Sequence, residues 1–433
     1  MKNNVLILTV SLLFTAFVAQ AQDTLRLTLP QAVDRALKNS AAANLTAAKL
    51  KSAEHELKVA KNARYPDASI SAQYLYLTNA NTDLQTQSSG EPRPSLNVDQ
   101  LVLGQAKVSM PLFSGFKLKN VIEASENQYK AASFTAQNEM EQLALETINN
   151  YISLYKATQS ITLIEENLKS AQQRVKDFEA KEQNGLLARN DLLKAQLQQS
   201  NIEVTLEEAK KNQLILNYKL AMSLNLDEQT VISTGPTDFN IIETTALPHS
   251  IDRSDLNALK YHKLATENQI KIAKSNYYPS FALTGGYLVL DIHNVLTVTN
   301  AMNFGIGLSY NLSDIFKTKS NIALAKSRVQ EMQFTLDAYS DQVKIQVESA
   351  EQEYDLALKK YTVFTKSQEQ AIENYRIVKD KYENGLADTN DLLEADVEQL
   401  QAKINLTYAK ANITQRYYEL LTAEGQLTKS LNN

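Results

Sequence analysis

NGLLARNDLLKAQ at residues 184–196 and NGLADTNDLLEAD at residues 384–396 are two versions of one segment, 200 positions apart. Each marks the end of an unusually long stretch without punctuation. From Lys117 to Asn184, and again from Phe316 to Asn384, the chain holds neither glycine nor proline. Both stretches are rich in Ala, Glu, Lys, Gln and Leu, which favour helix. Fully helical, each would extend about 100 Å at 1.5 Å per residue. The glycine at 185 or 385 then breaks the run, and a second helix-forming stretch follows, to about Leu224 and Ala423 respectively.

The apolar positions inside these stretches step by four and three. Ala357, Tyr361, Phe364, Gln368, Ala371, Tyr375, Val378 and Tyr382 keep coiled-coil spacing with one polar interruption, and Leu393, Val397, Leu400, Ile404, Thr407, Ala411, Thr414 and Tyr418 continue it after the turn. The reading is two long antiparallel helical hairpins, over 117–224 and 316–424. The whole composition agrees: 11 glycines and 8 prolines leave few places to turn, where average usage in a chain this long gives roughly thirty and twenty.

The recurrence extends upstream. VAKNARYPD at 59–67 matches IAKSNYYPS at 272–280, and Lys117, Lys119 and Asn120 align with Lys317, Lys319 and Ser320. Blocks returning in the same order predict an internal duplication, with one structural repeat over 22–230, a linker over 231–250, a second repeat over 251–428 and a tail over 429–433. Between the matched blocks the period changes to two. Ile70, Ala72, Tyr74 and Tyr76 alternate with Ser71, Gln73 and Leu75; Val108, Met110 and Leu112 with Lys107, Ser109 and Pro111. In the second half Phe281, Leu283, Tyr287 and Val289, then Phe304, Ile306, Leu308, Tyr310 and Leu312, do the same. This predicts four strands, about 67–77, 103–113, 280–290 and 303–313, each close to the roughly ten residues a tilted membrane strand needs. Pro66, Pro111 and Pro279 mark the expected passages between helix and strand. A soluble antiparallel sheet packed on helices shows the same alternation. The Gly, Ser, Gln and Lys of the second face favour a wet interior and hence a barrel.

The first residues fit export. MKNNVLILTVSLLFTAFVAQAQ has a basic start at Lys2, an apolar run from Val5 to Val18 and small residues at Ala19 and Ala21, the anatomy of a signal peptide over residues 1–21. No later run is apolar enough for a transmembrane helix. The chain contains no cysteine, which removes disulfides, thiol catalysis and cysteine lipidation. Its net charge of -5 lacks the basic stripe of a nucleic-acid binder. The four histidines, His55, His249, His262 and His293, have no metal-ligand spacing, and no phosphate loop or nucleophile elbow occurs. No enzyme, cofactor or metal site is expected.

Four strands cannot close a barrel, and open edges in lipid leave backbone groups unsatisfied. Two copies make eight strands, a barrel that side chains fill; three make twelve and leave a channel. Cyclic closure is the expected symmetry.

In order of elements, the chain resembles the TolC family of outer-membrane factors from about Leu27 to Leu427. The opening LTLPQAVDRALKNS, the YP pairs, MPLFSG and the two NGL turns with downstream NDLL carry the likeness. The resemblance implies a mainly α fold with a small transmembrane β part: a homotrimer whose helical hairpins form an α-barrel in the periplasm beneath a twelve-stranded β-barrel in the outer membrane of a Gram-negative bacterium. It implies the exit duct of a tripartite efflux or type I secretion system, passive itself and working with a periplasmic adaptor and an inner-membrane transporter. Asn184, Gly185 and Leu186, with Asn384, Gly385 and Leu386, match the adaptor-docking turns. Tyr382 matches a gating tyrosine, Asp391 and Glu394 match constriction carboxylates, and Asp191 matches the acid of the other hairpin. Ala387 departs from the pattern, where an arginine is usual, and Asn311 stands where a proline is expected by analogy with Pro111. Read from the residues alone, Gly185 and Gly385 suit helix C-caps, and an acid in a first helical turn suits the macrodipole with Asn190 or Asn390 as cap. A periplasmic coiled-coil adaptor, or a structural protein, is the alternative to a channel; an adaptor normally carries one hairpin and a larger share of strand-rich domains. A helical pore-forming toxin needs a long apolar insertion segment that the sequence lacks.

Overall fold

The computed structural model describes residues 24–82, 96–235, 252–293 and 295–431. The signal peptide, most of the linker at 231–250, His249 and the last residues of the tail lie outside the described residues. The elements in order are β1 (Thr24–Leu27), α1 (Leu29–Asn39), α2 (Ala41–Asn62), β2 (Asp67–Thr82), β3 (Leu96–Ser114), α3 (Lys117–Gln183), α4 (Arg189–Ser223), β4 (Val231–Thr234), α5 (Ser254–Lys274), β5 (Ser280–Ile292), β6 (Leu296–Ser309), α6 (Asp314–Glu383), α7 (Thr389–Glu424) and α8 (Leu427–Leu431). The protein is mostly helical with few strands. No helix among the described residues is long and apolar enough to cross a membrane. Two compact units are distinguished, one of residues up to Ala48 with Thr135–Asp255 and Tyr339 onward, the other of Lys49–Phe134 and Leu256–Ala338.

The first unit holds the main core. Thr28 caps α1 in a capping box with Gln31, and Pro30 sits in the first turn, where its missing N–H is not needed. That start aims Leu29, Ala32, Val33 and Ala36 at one face, where they meet Ile148, Ile152, Leu220, Leu224 and Leu421. The fully buried Tyr151 donates from its hydroxyl to the Leu27 carbonyl at 2.8 Å and accepts from the Gly235 amide at 3.1 Å, so it ties together the ends of β1 and β4. These two strands pair in parallel, Thr24 to Val231 through Leu27 to Thr234. Asn217 satisfies the backbone around β4, bonding the Thr230 carbonyl and the Ile232 amide at 2.8 Å each. Sequence periodicity gave no sign of this pair, because four residues are too few to display a period.

Both hairpins are built on apolar seams. Ile164 and Ala171 of α3 pack with Ile202 and Leu206 of α4; Tyr354 and Ala357 of α6 pack with Ile413 and Leu420 of α7. The α7 seam starts one residue away from the predicted one. Leu392 and Ala395 are buried, whereas Val397 is 56% exposed. Stepping back from the turn in strict heptads therefore misplaces the first turns of α7, and the expected positions are recovered by Ala411 and Thr414.

The second unit carries a fully antiparallel sheet in the order β2-β3-β5-β6. Its strands run 16, 19, 13 and 14 residues, longer than the alternation alone indicated. Pro111 lies within β3 at a register shift before Phe113, a bulge that removes the need for its missing N–H, rather than at the passage into α3. That passage is made by Gly115 and Phe116, both at positive φ. A Cβ at Gly115 would stand 2.5 Å from the Ser275 carbonyl oxygen, so glycine is required there for space as well as for φ. At the other passage β6 ends at Ser309, which leaves Tyr310 and Leu312 in a turn. Asn311 folds this turn, its side-chain carbonyl accepting from the Ser313 amide at 3.2 Å. An Asx turn replaces the expected proline.

Candidate functional site

Two regions carry the features singled out by the sequence: the hairpin tips in the first unit and the sheet in the second. At the tips the two turns have matching geometry. Gly185 and Gly385 take φ of 72° and 73°. The Gly185 amide bonds the Glu182 carbonyl at 2.9 Å and the Leu186 amide the Lys181 carbonyl at 2.8 Å; Gly385 and Leu386 repeat this on Tyr382 and Lys381 at 3.1 and 2.8 Å. These are Schellman caps. Asn184 and Asn384 add side-chain bonds to the carbonyls of Ala180 and Asp380. In most such caps the residue after the glycine packs back on the helix. Here Leu186 and Leu386 are 77% and 78% exposed, so two leucines project from the turns.

The next residues differ between the hairpins. Asp388, not Asn390, caps α7: it accepts from the amides of Asn390 and Asp391 at 2.7 and 3.0 Å, and Asp391 answers by accepting from the Asp388 amide at 3.2 Å. Asp391 is thus the third-position partner of a capping box and exposed. In the first hairpin the capping position is Ala188 rather than Asn190, and no side chain caps α4. Asp191 instead pairs with Lys194 at 3.5 Å. Asn190 and Asn390 fail as caps because the turn ends two residues earlier than the NDLL motif suggests. Glu394 is exposed on α7.

Tyr382 stacks on Phe178 at 5.7 Å between ring centroids, with the Lys181 ammonium 5.3 Å from its ring. The cleft beside it, about 560 Å³, brings together Tyr382, Asp191, Lys194, Asp388 and Thr389. Burial pushes the Tyr382 hydroxyl above its usual range, with Asp191 adding to the shift and a hydrogen bond to Thr389 opposing it. Of the predicted gate residues, the fold gathers Tyr382 and Asp191 and leaves Asp391 and Glu394 outside the cleft lining.

Sequence reading missed a buried ion pair just beyond. Arg174 of α3 meets Asp396 of α7 at 3.1 Å, with side chains only 9% and 3% exposed. Asn167 also donates to Asp396, and Arg174 donates to the Tyr375 hydroxyl. Asp396 stands in the quoted repeat opposite Gln196; that charge difference was the available signal.

The sheet has one strongly apolar face that nothing covers among the described residues. Ile70 (89% exposed), Tyr74, Val108, Met110, Phe304 (81%), Ile306 and Leu308 share it, aligned by register: Ala68 opposes Val108, Leu283 opposes Ile306, and Gly285 opposes Phe304. Seven large apolar side chains exposed on one face form the kind of contiguous patch that marks a membrane or protein contact. At the end nearest α3, Phe113, Phe116, Tyr278 and Phe281 form an edge-to-face and tilted aromatic cluster, with centroids 5.2 to 6.2 Å apart. Aromatic rings ringing an apolar band are a mark of a membrane interface. The other face carries Ser69, Ser71, Gln73, Gln105, Lys107, Thr284 and Asn303.

This arrangement has known counterparts. The outer membrane efflux protein BepC of Brucella suis is 22% identical over 430 residues, which span 96% of this chain and 90% of that protein. The CmeC outer membrane channel of Campylobacter jejuni superposes with a TM-score of 0.77 at 19% identity, over 92% of this chain and 86% of that one. The outer membrane protein VceC of Vibrio cholerae does so with a TM-score of 0.75 at 17% identity, over 92% and 96%. At these identities the structural likeness speaks for the fold alone. The sequence model of the family described as outer membrane efflux protein matches residues 32–226 and 251–426, and this chain belongs to that family.

Proposed function

We propose that the protein is the outer-membrane exit duct of a tripartite efflux or type I secretion system. The observation that carries this reading is the four-stranded sheet with an uncovered apolar face and no partner strand beyond β2 or β6 among the described residues. In lipid each unpaired backbone group costs several kcal/mol, so the edges must meet other copies. Three copies close a twelve-stranded barrel wide enough for a channel. The shortest strand, 13 residues, reaches about 30 Å along the normal at a 45° tilt, the thickness of the hydrocarbon layer. Export by the signal peptide delivers the chain, and the absence of cysteine leaves it without a thiol-linked lipid.

The hairpins then form the periplasmic conduit. Two equivalent Schellman turns, and a sheet that takes one strand pair from each half, support descent from a duplicated unit. The exposed Leu186 and Leu386 suit the tips to adaptor docking, with an inner-membrane pump supplying the energy. Tyr382, Asp191, Asp391 and Glu394 belong to the mouth. With three copies converging, exposed carboxylates there favour cations.

After fractionation, the mature chain should follow the outer membrane and run as a heat-modifiable trimer; a soluble monomer needing no detergent would overturn the duct. In planar bilayers Asp391→Asn should shift the permeability ratio away from cations, and an unchanged ratio in that variant would remove the acidic mouth. An adaptor, the alternative, would track with the inner membrane or periplasm.

A further inference from the structure

We propose that Lys107, at mid-height on the polar face of the sheet, lines the barrel lumen and with its copies forms a cationic ring that favours anionic solutes. The inference rests on the barrel reading and adds a specificity determinant to it. Strand side chains alternate, so Lys107 lies opposite to Ala106 and Val108, which belong to the apolar face. Its own face holds Gln105 and Ser109 on the same strand. Across the sheet the row reads Ser69, Lys107, Gly286, Asn303. Both immediate neighbours are therefore small, and nothing in the row screens the ammonium from the lumen. Gly286 has no room for a side chain: a Cβ would stand 2.9 Å from the Ala106 carbonyl oxygen and 3.2 Å from Asn303 Oδ1. The space over Gly286 is thus taken up by the Asn303 amide, and the row holds hydroxyl, glycine and amide beside Lys107 with no carboxylate.

The acids of the sheet lie off its row. Asp67 lies one row away opposite Ser109, forms no ion pair with Lys107, and moderates the field on that side of the ring. Asp99 is engaged at the far end of β3 by His293 at 2.9 Å. Lys107 is the one cation that the described strand rows place on the polar face, and its neighbours there are hydroxyl, amide and glycine.

The native sequence lacks cysteine, so single thiols report each face cleanly. The full-length trimer carrying Lys107→Cys should react with a membrane-impermeant, positively charged methanethiosulfonate, while Ile70→Cys in the same bilayer should not. Under a potassium chloride gradient near 50 mM, Lys107→Glu should shift the potassium-to-chloride permeability ratio about twentyfold toward potassium. That figure follows from three positions roughly 10 Å from the axis, each changing by two unit charges, reduced by about one Debye length of screening and counted once for each ion. Lys107→Gln should shift it about half as far on a logarithmic scale, and the difference should vanish near 1 M salt. Reaction of Lys107→Cys with the cationic reagent should restore the native ratio. An unchanged ratio in Lys107→Glu, with Lys107→Cys still reactive, overturns the ring and leaves the barrel intact. Reaction at Ile70→Cys but not at Lys107→Cys reverses the faces and overturns ring and barrel assignment together.

Discussion

Removing either member of the Arg174 and Asp396 pair should be among the most damaging single changes in the helical part. Asp396 accepts from Arg174 Nη1 at 3.1 Å and from Asn167 Nδ2 at 3.2 Å, with Arg174 Nη2 also 3.1 Å from the same carboxylate oxygen. With the side chains 9% and 3% exposed, water cannot replace a lost partner. Asp396→Leu leaves a buried guanidinium with only the Tyr375 hydroxyl, and Arg174→Leu leaves a buried carboxylate with Asn167; each should cost about 3–5 kcal/mol. Replacing both by leucine removes both desolvation penalties and should cost far less than either single change, because an apolar pair of similar volume often matches a buried ion pair. Hydrogen exchange of the α3 and α7 amides in the purified protein measures this as local opening free energy. Single variants that each lose under about 1 kcal/mol, or a double variant that loses the sum of the two, would refute the reasoning.

Three further outcomes are expected. Gly185→Ala and Gly385→Ala meet no atom within 4 Å and should lose only the φ preference, about 1 kcal/mol each, whereas Gly425→Ala drives a Cβ to 2.7 Å from the Asp252 carbonyl oxygen and should lose clearly more in thermal unfolding. Leu186→Asp and Leu386→Asp should leave the melting temperature unchanged, since both side chains project into solvent, yet reduce capture of the cognate adaptor; retained capture by the double variant would remove the docking role. Lys156 contacts Asn412 and Gln415 and is lowered to about 8 by burial, then by the charge of Arg416. Its unfolded value is higher, so the unfolded chain binds more protons above pH 8 and stability should rise from pH 8 toward pH 9.5. Lys156→Met should flatten that rise and add on the order of 2 kcal/mol at pH 7, read by chemical denaturation across the pH range.

The helices and strands were legible because each imposes a period over many turns. Seventy residues of α6 and 67 of α3 repeat their pattern often enough to survive polar interruptions, and the alternation at 281–289 or 304–308 decides a face even when the ends of a strand are blurred. What the sequence hid was local or distant. The capping of α7 turned on Asp388, two residues before the asparagine that looked suitable, and only the position of the Schellman turn fixes which residue starts the helix. The β1 and β4 pair joins segments some two hundred residues apart, and Pro111 was misplaced because a bulge absorbs a proline as well as a strand end does. The residues expected at a gate align by motif, yet motif spacing does not say which side chains share a cleft: Tyr382 and Asp191 do, from different hairpins.

The seams within and between hairpins have different chemistry, and that difference bears on how a mouth could open. Inside each hairpin the contacts are apolar and interdigitated, Ile164 and Ala171 with Ile202 and Leu206, Tyr354 and Ala357 with Ile413 and Leu420. Between α3 and α7 the facing positions are polar over much of their length: Arg174 with Asp396, Ser160 with Tyr408 at 2.7 Å, Lys156 with Asn412 and Gln415. Apolar seams lose area in proportion to any separation and resist it throughout. Polar partners exchange each other for water at a net cost of about 1 kcal/mol per bond once solvent enters, so such a stretch resists parting less than an apolar one. Only the buried Arg174 and Asp396 pair and the apolar cluster of Phe178, Leu192 and Leu392 close the tip end of that seam to water. Each hairpin is therefore stiff in itself, and the resistance to moving one against the other lies at two places along this seam, the last few turns before Gly185 and Gly385 and the core where Ile148 and Ile152 of α3 meet Leu421 of α7.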